Sequence, residues 1–279
     1  MPLPETCELV LADGSVLRYC LYGPVDGYPV VWLGGSPSSR WKWPALIEAM
    51  ERCGLHFLVY DRPGYGGSTR RPGRAVAAAA KDVRALADAH GWNEFAVFGG
   101  SGGGPHALAC AALLADRVTR CAVVSGIKPS SAGTPPREED LRSRLPEVAA
   151  SILRLIDAGG PEIPSEPGPP ARDNPDAMAR VRATFLDSLD GWVDDSLAFA
   201  RPWGFELAAI RVPVGIWWGT GDAHVSTDHS DHLLAHIATA QGHVYGGGHL
   251  PDADVYEEIY DWLAVGPRHE TGTVPGPSP

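Results

Sequence analysis

Five short, unbroken apolar runs, separated by segments of helical character or by loops, constrain this chain more than any other feature. They are Val30-Val31-Trp32-Leu33, Leu58-Val59-Tyr60, Phe95-Ala96-Val97-Phe98, Cys121-Ala122-Val123-Val124 and Val214-Gly215-Ile216-Trp217-Trp218. Without polar alternation, such runs fit strands buried on both faces. Helices are expected at 44–52, 75–90, 104–115, 228–237 and 252–264, with a short strand at 242–245. At the start, 9–12 and 16–22 flank Asp13-Gly14, a strong hairpin signal. The expected fold class is therefore α/β: a mostly parallel central sheet with helices on both faces.

Residues 128–206 break this rhythm, with helical stretches near 137–157 and 176–199 and no apolar strand. Six prolines within 161–175 make regular structure there improbable. The expected organisation is a sheet core at 1–127 and 207–265, a helical cap or lid at 128–206, and a disordered tail at 266–279 with almost no apolar content. Glycine (33) and proline (26) exceed average usage. The glycines follow no three-residue period and would interrupt a coiled coil, which excludes both fibrous classes.

The formal charge of −11 is uneven. Residues 1–127 carry 12 basic and 11 acidic side chains, 128–206 carry 9 and 14, and 207–279 only Arg211 and Arg268 against 9. Nucleic-acid binding needs a basic stripe and is not expected. Five unclustered cysteines (Cys7, Cys20, Cys53, Cys110, Cys121) read as small buried hydrophobes in a reducing compartment. With no leader-like start and no apolar run of membrane-spanning length, the expectation is a cytoplasmic protein without membrane contact.

Chemistry concentrates in three glycine-rich loops. Gly99-Gly100-Ser101-Gly102-Gly103 directly follows one apolar strand and leads into a helix. A serine on so sharp a turn needs small neighbours, and the helix N-terminus behind it supplies unpaired N–H groups. No Gly-Lys-Ser/Thr follows, and no acidic partner of a dinucleotide fingerprint accompanies the glycines, so a nucleophile fits better than a phosphate loop. A serine nucleophile requires a base and an acid to orient it. Asp222 lies in Trp218-Gly219-Thr220-Gly221-Asp222, just past an apolar strand, and His249 in Gly246-Gly247-Gly248-His249-Leu250.

The order Ser, Asp, His, each after a strand, is similar to that of the α/β-hydrolase fold family, in its capped esterase, epoxide hydrolase and aminopeptidase-like branch. The resemblance spans about 8–127 and 207–264 and includes Asp61-Arg62-Pro63-Gly64-Tyr65-Gly66-Gly67-Ser68, which is similar to the family's turn after the fourth strand. It implies Ser101 as nucleophile, Asp222 as orienting acid and His249 as base, with no cofactor and no metal. The oxyanion hole implied is the backbone N–H of Ser36 and Gly102. The family's usual histidine before that loop is Gly34 here, in Leu33-Gly34-Gly35-Ser36-Pro37, and a frequent proline after the acid is Ser226. Serine in the nucleophile slot disfavours epoxide hydrolase chemistry, which needs aspartate there.

His224, His229, His232 and His236 cluster after Asp222, and the last three, spaced i, i+3, i+7 on a helix, could face a metal with Asp228, but a solvated helix face is the commoner outcome. His106, on the helix after Ser101, reads as a packed histidine. Trp41, Trp43, Trp192 and Trp203 are candidates to line an apolar pocket, with plain packing equally open to each. The expected function is hydrolysis of a small hydrophobic carboxylic ester, lactone or related acyl compound through an acyl-enzyme. Aminopeptidase or amidase activity, and a non-hydrolytic role as lyase, cyclase or ligand-binding protein, stay open.

Overall fold

The computed structural model describes residues 3–130, 134–158 and 173–264. One sheet holds eight strands: β1 Cys7–Val10, β2 Val16–Tyr22, β3 Tyr28–Leu33, β4 Leu55–Tyr60, β5 Phe95–Gly100, β6 Val118–Val124, β7 Val214–Gly219 and β8 Ala240–Tyr245. Their spatial order is β1-β2-β4-β3-β5-β6-β7-β8. The first two strands pair antiparallel with their neighbours, and every pairing from β4 to β8 is parallel. Each of the five apolar runs lies within one of β3 to β7. Their lack of alternation follows from cover on both faces: β4 is buried at all six positions and β5 at five of six.

Helices α1 Pro44–Arg52 and α8 Ala253–Ala264 cover one face; α2 Ala79–Ala89, α3 Gly104–Leu113 and α7 Thr227–His236 cover the other. Phe57, Phe98 and Tyr260 interlock beneath α8 with ring centroids 5.1–6.2 Å apart. Burying each phenylalanine contributes about 1.5–3 kcal/mol. The α3 helix is buried almost along its length, which is why it shows no amphipathic stripe.

Three boundaries differ from expectation. The opening hairpin turns through five residues, 11–15, because Asp13 Oδ1 accepts from the Ser15 amide at 2.9 Å and Leu11 N–H bonds Ser15 O at 2.8 Å, closing the loop locally. The edge strand β8 starts two residues early, its exposed first half lacking apolar residues to mark it. Between β6 and β7 lie α4 Glu138–Ala158, α5 Pro175–Val181 and α6 Asp190–Phe199. The single helix expected over 176–199 is split by a wide turn at Arg182–Leu186, where Asp187 N–H reaches back to Arg182 O. Among the described residues the 128–206 segment contains no strand. The tail at 266–279 and most of the proline-rich stretch at 161–175 lie outside the described residues. No helix among the described residues is long and apolar enough to cross a membrane.

Candidate active site

Ser101 turns the chain from β5 into α3 with φ of +51°, a left-handed conformation that side chains rarely adopt. Two of the surrounding glycines, Gly99 and Gly103, are enforced by space. A β-carbon on Gly99 would lie 2.5 Å from the Gly103 carbonyl oxygen and 2.8 Å from Ala107 Cβ; one on Gly103 would overlap the Leu33 carbonyl. Gly35 faces the serine, since a β-carbon there would sit 3.6 Å from Ser101 Cβ.

Asp222 and His249 meet at the ends of β7 and β8, with His249 Nδ1 2.8 Å from Asp222 Oδ2. The other carboxylate oxygen accepts from the amides of His224 (2.8 Å) and Val225 (2.9 Å). Burial alone would raise the Asp222 pKa, but the Val225 amide, the His249 ring and the His224 amide together hold it below the usual carboxylate value. An ionised Asp222 fixes the proton on Nδ1 and leaves Nε2 as the basic nitrogen. The two loops are woven together: Gly221 N–H donates to Gly247 O at 2.7 Å and Thr220 N–H to Tyr245 O at 3.0 Å.

Among the described residues no hydrogen bond joins the Ser101 hydroxyl to the His249 ring. Strand register sets Ser101 beside Ser125, whose side chain reaches the histidine loop. Gly100 pairs with Val124, so Ser101 and Ser125 leave adjacent strands together, and Ser125 Oγ donates to His249 O at 2.9 Å. Catalytic hydrogen bonds are often long before substrate binds.

The loop after β3 packs against the serine turn: a β-carbon on Gly102 would lie 3.1 Å from the Ser36 amide nitrogen. The Gly34 position is explained by its surroundings. A β-carbon there would collide with the Ser38 side chain and come 3.4 Å from Lys42 Nζ, so serine and lysine occupy the space a histidine would need. Lys42 is buried, donates to Ser38 Oγ (3.1 Å) and Ser39 O (3.0 Å), and lies over the Trp32 ring. Burial pulls its pKa down to about 8.

Sequence reading missed the ion cluster beneath this loop. Asp195 on α6 is fully buried and faces Arg62 Nη2 and Arg74 Nη2, each at 2.6 Å, with the Tyr65 hydroxyl at 2.9 Å. The Ser36 hydroxyl also donates to Asp195. Although burial opposes ionisation, the two guanidinium groups hold the Asp195 carboxyl far below its ordinary range. His106 is packed as expected, 3.4 Å from Asp195, and burial lowers its pKa to about 4, keeping it neutral. Arg62 and Tyr65 stand inside the 61–68 turn motif, and Ser36 and His106 stand out in the sequence for other reasons, whereas Arg74 and Asp195 carry no signal.

The four tryptophans have different ring partners. Trp203 is buried in the sheet core beside Phe205, Trp192 packs on Phe185, and Trp41 lies under the Arg40 guanidinium with its indole N–H to Pro4 O. Trp43 precedes α1 beneath Arg180. Trp203 belongs to the same buried cluster as Ala198 and Leu207. Of the histidines after Asp222, His229 Nδ1 accepts from the Lys128 amide and His232 stacks on His236. Among the described residues no three metal-ligating side chains converge.

Residues 28–152 match the family model described as alpha/beta hydrolase fold. A non-heme chloroperoxidase of Streptomyces lividans is 32% identical over 120 residues, which is 42% of this chain and 44% of that protein. The chain thus matches under half the length of this curated relative. Similar solved structures include an enol-lactonase from Burkholderia xenovorans LB400 (TM-score 0.71, 21% identity, 91% of this chain and 97% of that one). A thermophilic esterase from Thermogutta terrifontis gives a TM-score of 0.69 at 21% identity, covering 93% of this chain and 96% of that one.

Proposed function

We propose that this chain, an α/β-hydrolase-fold protein, is a serine hydrolase of small carboxylic esters, lactones or related acyl compounds. The observation that carries the reading is the Asp222–His249 pair, whose loop is held by Ser125 at the end of β6, the strand next to the one that ends in the strained Ser101 turn. Ser101 Oγ attacks the acyl carbon while His249 Nε2 takes its proton; Asp222 steadies the resulting imidazolium. The Ser36 and Gly102 amides receive the negative oxygen of the tetrahedral intermediate. On its collapse the alcohol leaves with the proton from His249, and water, activated by the same nitrogen, releases the acid. The names of the similar structures, an esterase and an enol-lactonase, support the ester and lactone class.

In this reading the helical segment 128–206 caps a core formed by 1–127 and 207–265. The five cysteines, all free thiols, suit the cytoplasm.

A fluorophosphonate probe tests the reading. Wild type is labelled and turns over short-chain p-nitrophenyl esters, and Ser101→Ala loses both. Unlabelled folded wild type, or turnover surviving in Ser101→Ala, would sink it. The chloroperoxidase relative favours one second reading, in which hydrogen peroxide in place of water accepts the acyl group to give a peracid. Peroxide-dependent chlorination in acetate that vanishes in Ser101→Ala distinguishes it.

A further inference from the structure

Ser36 and Asp195 lie 159 positions apart, yet the hydroxyl of one donates to the carboxylate of the other. Around this contact the Gly34 and Gly35 carbonyls and the Ser36 hydroxyl are engaged. The Arg62 guanidinium donates to Gly34 O, to Gly35 O (2.7 Å) and to Ser36 Oγ (2.9 Å). The same nitrogen, Nη2, is 2.6 Å from Asp195 Oδ2. Asp195 is fixed in turn by the Tyr65 hydroxyl and by Arg74, whose side chain is 4% exposed. Both carbonyls and the hydroxyl of residues 34–36 are therefore held from one side. The other side meets the serine turn, where Gly102 abuts the Ser36 backbone. Two guanidinium groups against one carboxylate, with His106 neutral, leave a net positive charge buried, with Arg62 directly against the 34–36 loop.

We propose that Asp195 and Arg62 are positioning residues that clamp the 34–36 loop so that the Ser36 amide points at the oxyanion. The helical segment between β6 and β7 would thus set the geometry of the oxyanion site from its own helix α6. This inference rests on the hydrolase reading for its catalytic consequence, but the clamp itself is measurable without catalysis. A misplacement of about 1 Å in such a donor costs about 100-fold in rate, whereas ground-state binding of a small ester through its acyl group depends little on it.

The test uses Asp195→Asn, Arg62→Lys and Ser36→Ala, with Asp194→Asn as control. Asp194 neighbours Asp195 on α6 and is equally buried, but pairs with Arg70 and does not touch the loop. Ser36→Ala keeps the backbone N–H and removes only the tether, so it serves even where Asp195→Asn fails to fold. For Asp195→Asn the expected result is kcat lower by about 100-fold with KM little changed, and a matching loss of affinity for an alkyl boronic acid, a tetrahedral mimic. Ser36→Ala and Arg62→Lys move the same way by smaller factors. Asp194→Asn lowers Tm yet keeps kcat. Deuterium uptake by the 34–36 backbone rises in Asp195→Asn and Ser36→Ala and stays at the wild-type level in Asp194→Asn. Wild-type kcat and boronate affinity in the folded loop variants, or an equal kcat loss in Asp194→Asn, would overturn the proposal. If wild type shows no Ser101-dependent turnover, the hydrolase reading fails, and uptake decides the clamp alone: no change in the loop variants overturns it.

Discussion

The Ser125 hydroxyl donates to the backbone carbonyl of His249 at 2.9 Å, although the two residues are 124 positions apart. Ser125 adopts φ of +47° immediately after β6, a strained conformation that aims its side chain at the histidine loop. Tyr245 backs this contact, its hydroxyl lying 3.2 Å from Gly248 O. Removing the serine hydroxyl costs about 1 kcal/mol of loop stability and loosens the His249 loop, which carries the base of the proposed mechanism. Ser125→Ala is expected to lower kcat by about tenfold at constant KM, with Tyr245→Phe smaller. A double-mutant cycle on kcat should show the two coupled; strictly additive effects would separate them.

Restoring a histidine at position 34 is expected to harm this protein. The space is filled by Ser38 and Lys42, so the new side chain must displace a buried amine and its two acceptors. Overpacking of this kind costs about 1–3 kcal/mol. Thermal denaturation should show a lower Tm for Gly34→His, partly recovered by adding Ser38→Gly. A stable Gly34→His with wild-type activity would contradict the packing argument.

Lys42 gives stability a signature in alkali. Its folded pKa, lowered by burial to about 8, lies beneath the ordinary lysine value of 10.5. Between those values the unfolded chain holds a proton that the folded chain has released, so the unfolded state binds more protons and stability rises with pH. Lys42→Met removes the titration while keeping the length of the chain. The Tm of wild type minus that of Lys42→Met should increase from pH 8 toward 10.5; parallel curves would show that the amine titrates normally.

How far the sequence reached depends on whether a feature is local. The strands β3 to β7 were legible because a strand covered on both faces must be apolar at every position, and the edge strand β8 was half hidden because it is not. The loops carrying Ser101, Asp222 and His249 announce themselves through glycines, which at Gly99, Gly103 and Gly219 stand where a β-carbon meets backbone. Asp195, by contrast, stands in Trp192-Val193-Asp194-Asp195, where nothing distinguishes the buried acid that pairs with Arg70 from the buried acid beneath the 34–36 loop. Its function depends on Ser36, Arg62 and Arg74, brought to it only by the whole fold. Lys42 is equally silent, since a lysine between two tryptophans gives no sign that it fills the place of a missing histidine.

Two glycines of one motif should answer substitution in opposite ways. Gly100 has ordinary extended geometry, φ −102° and ψ 140°, and no atom within 4 Å of a β-carbon placed on it. Gly100→Ala therefore restricts the unfolded chain without straining the folded one and is expected to raise stability by about 0.4–1 kcal/mol. Gly103 also has ordinary backbone angles, φ −77° and ψ −25°, so conformational freedom is not what requires glycine there. Its β-carbon would overlap Leu33 O and lie 2.6 Å from Gly34 O, backbone that cannot swing aside as a flexible side chain would. Gly103→Ala must push the 34–36 loop away from the serine turn, lowering stability by about 1–3 kcal/mol and activity by more than that loss alone explains. Urea unfolding of both variants, with kcat measured well below the transition, checks the contrast. Equal behaviour of the two alanines would mean that the loop yields more readily than its contacts indicate.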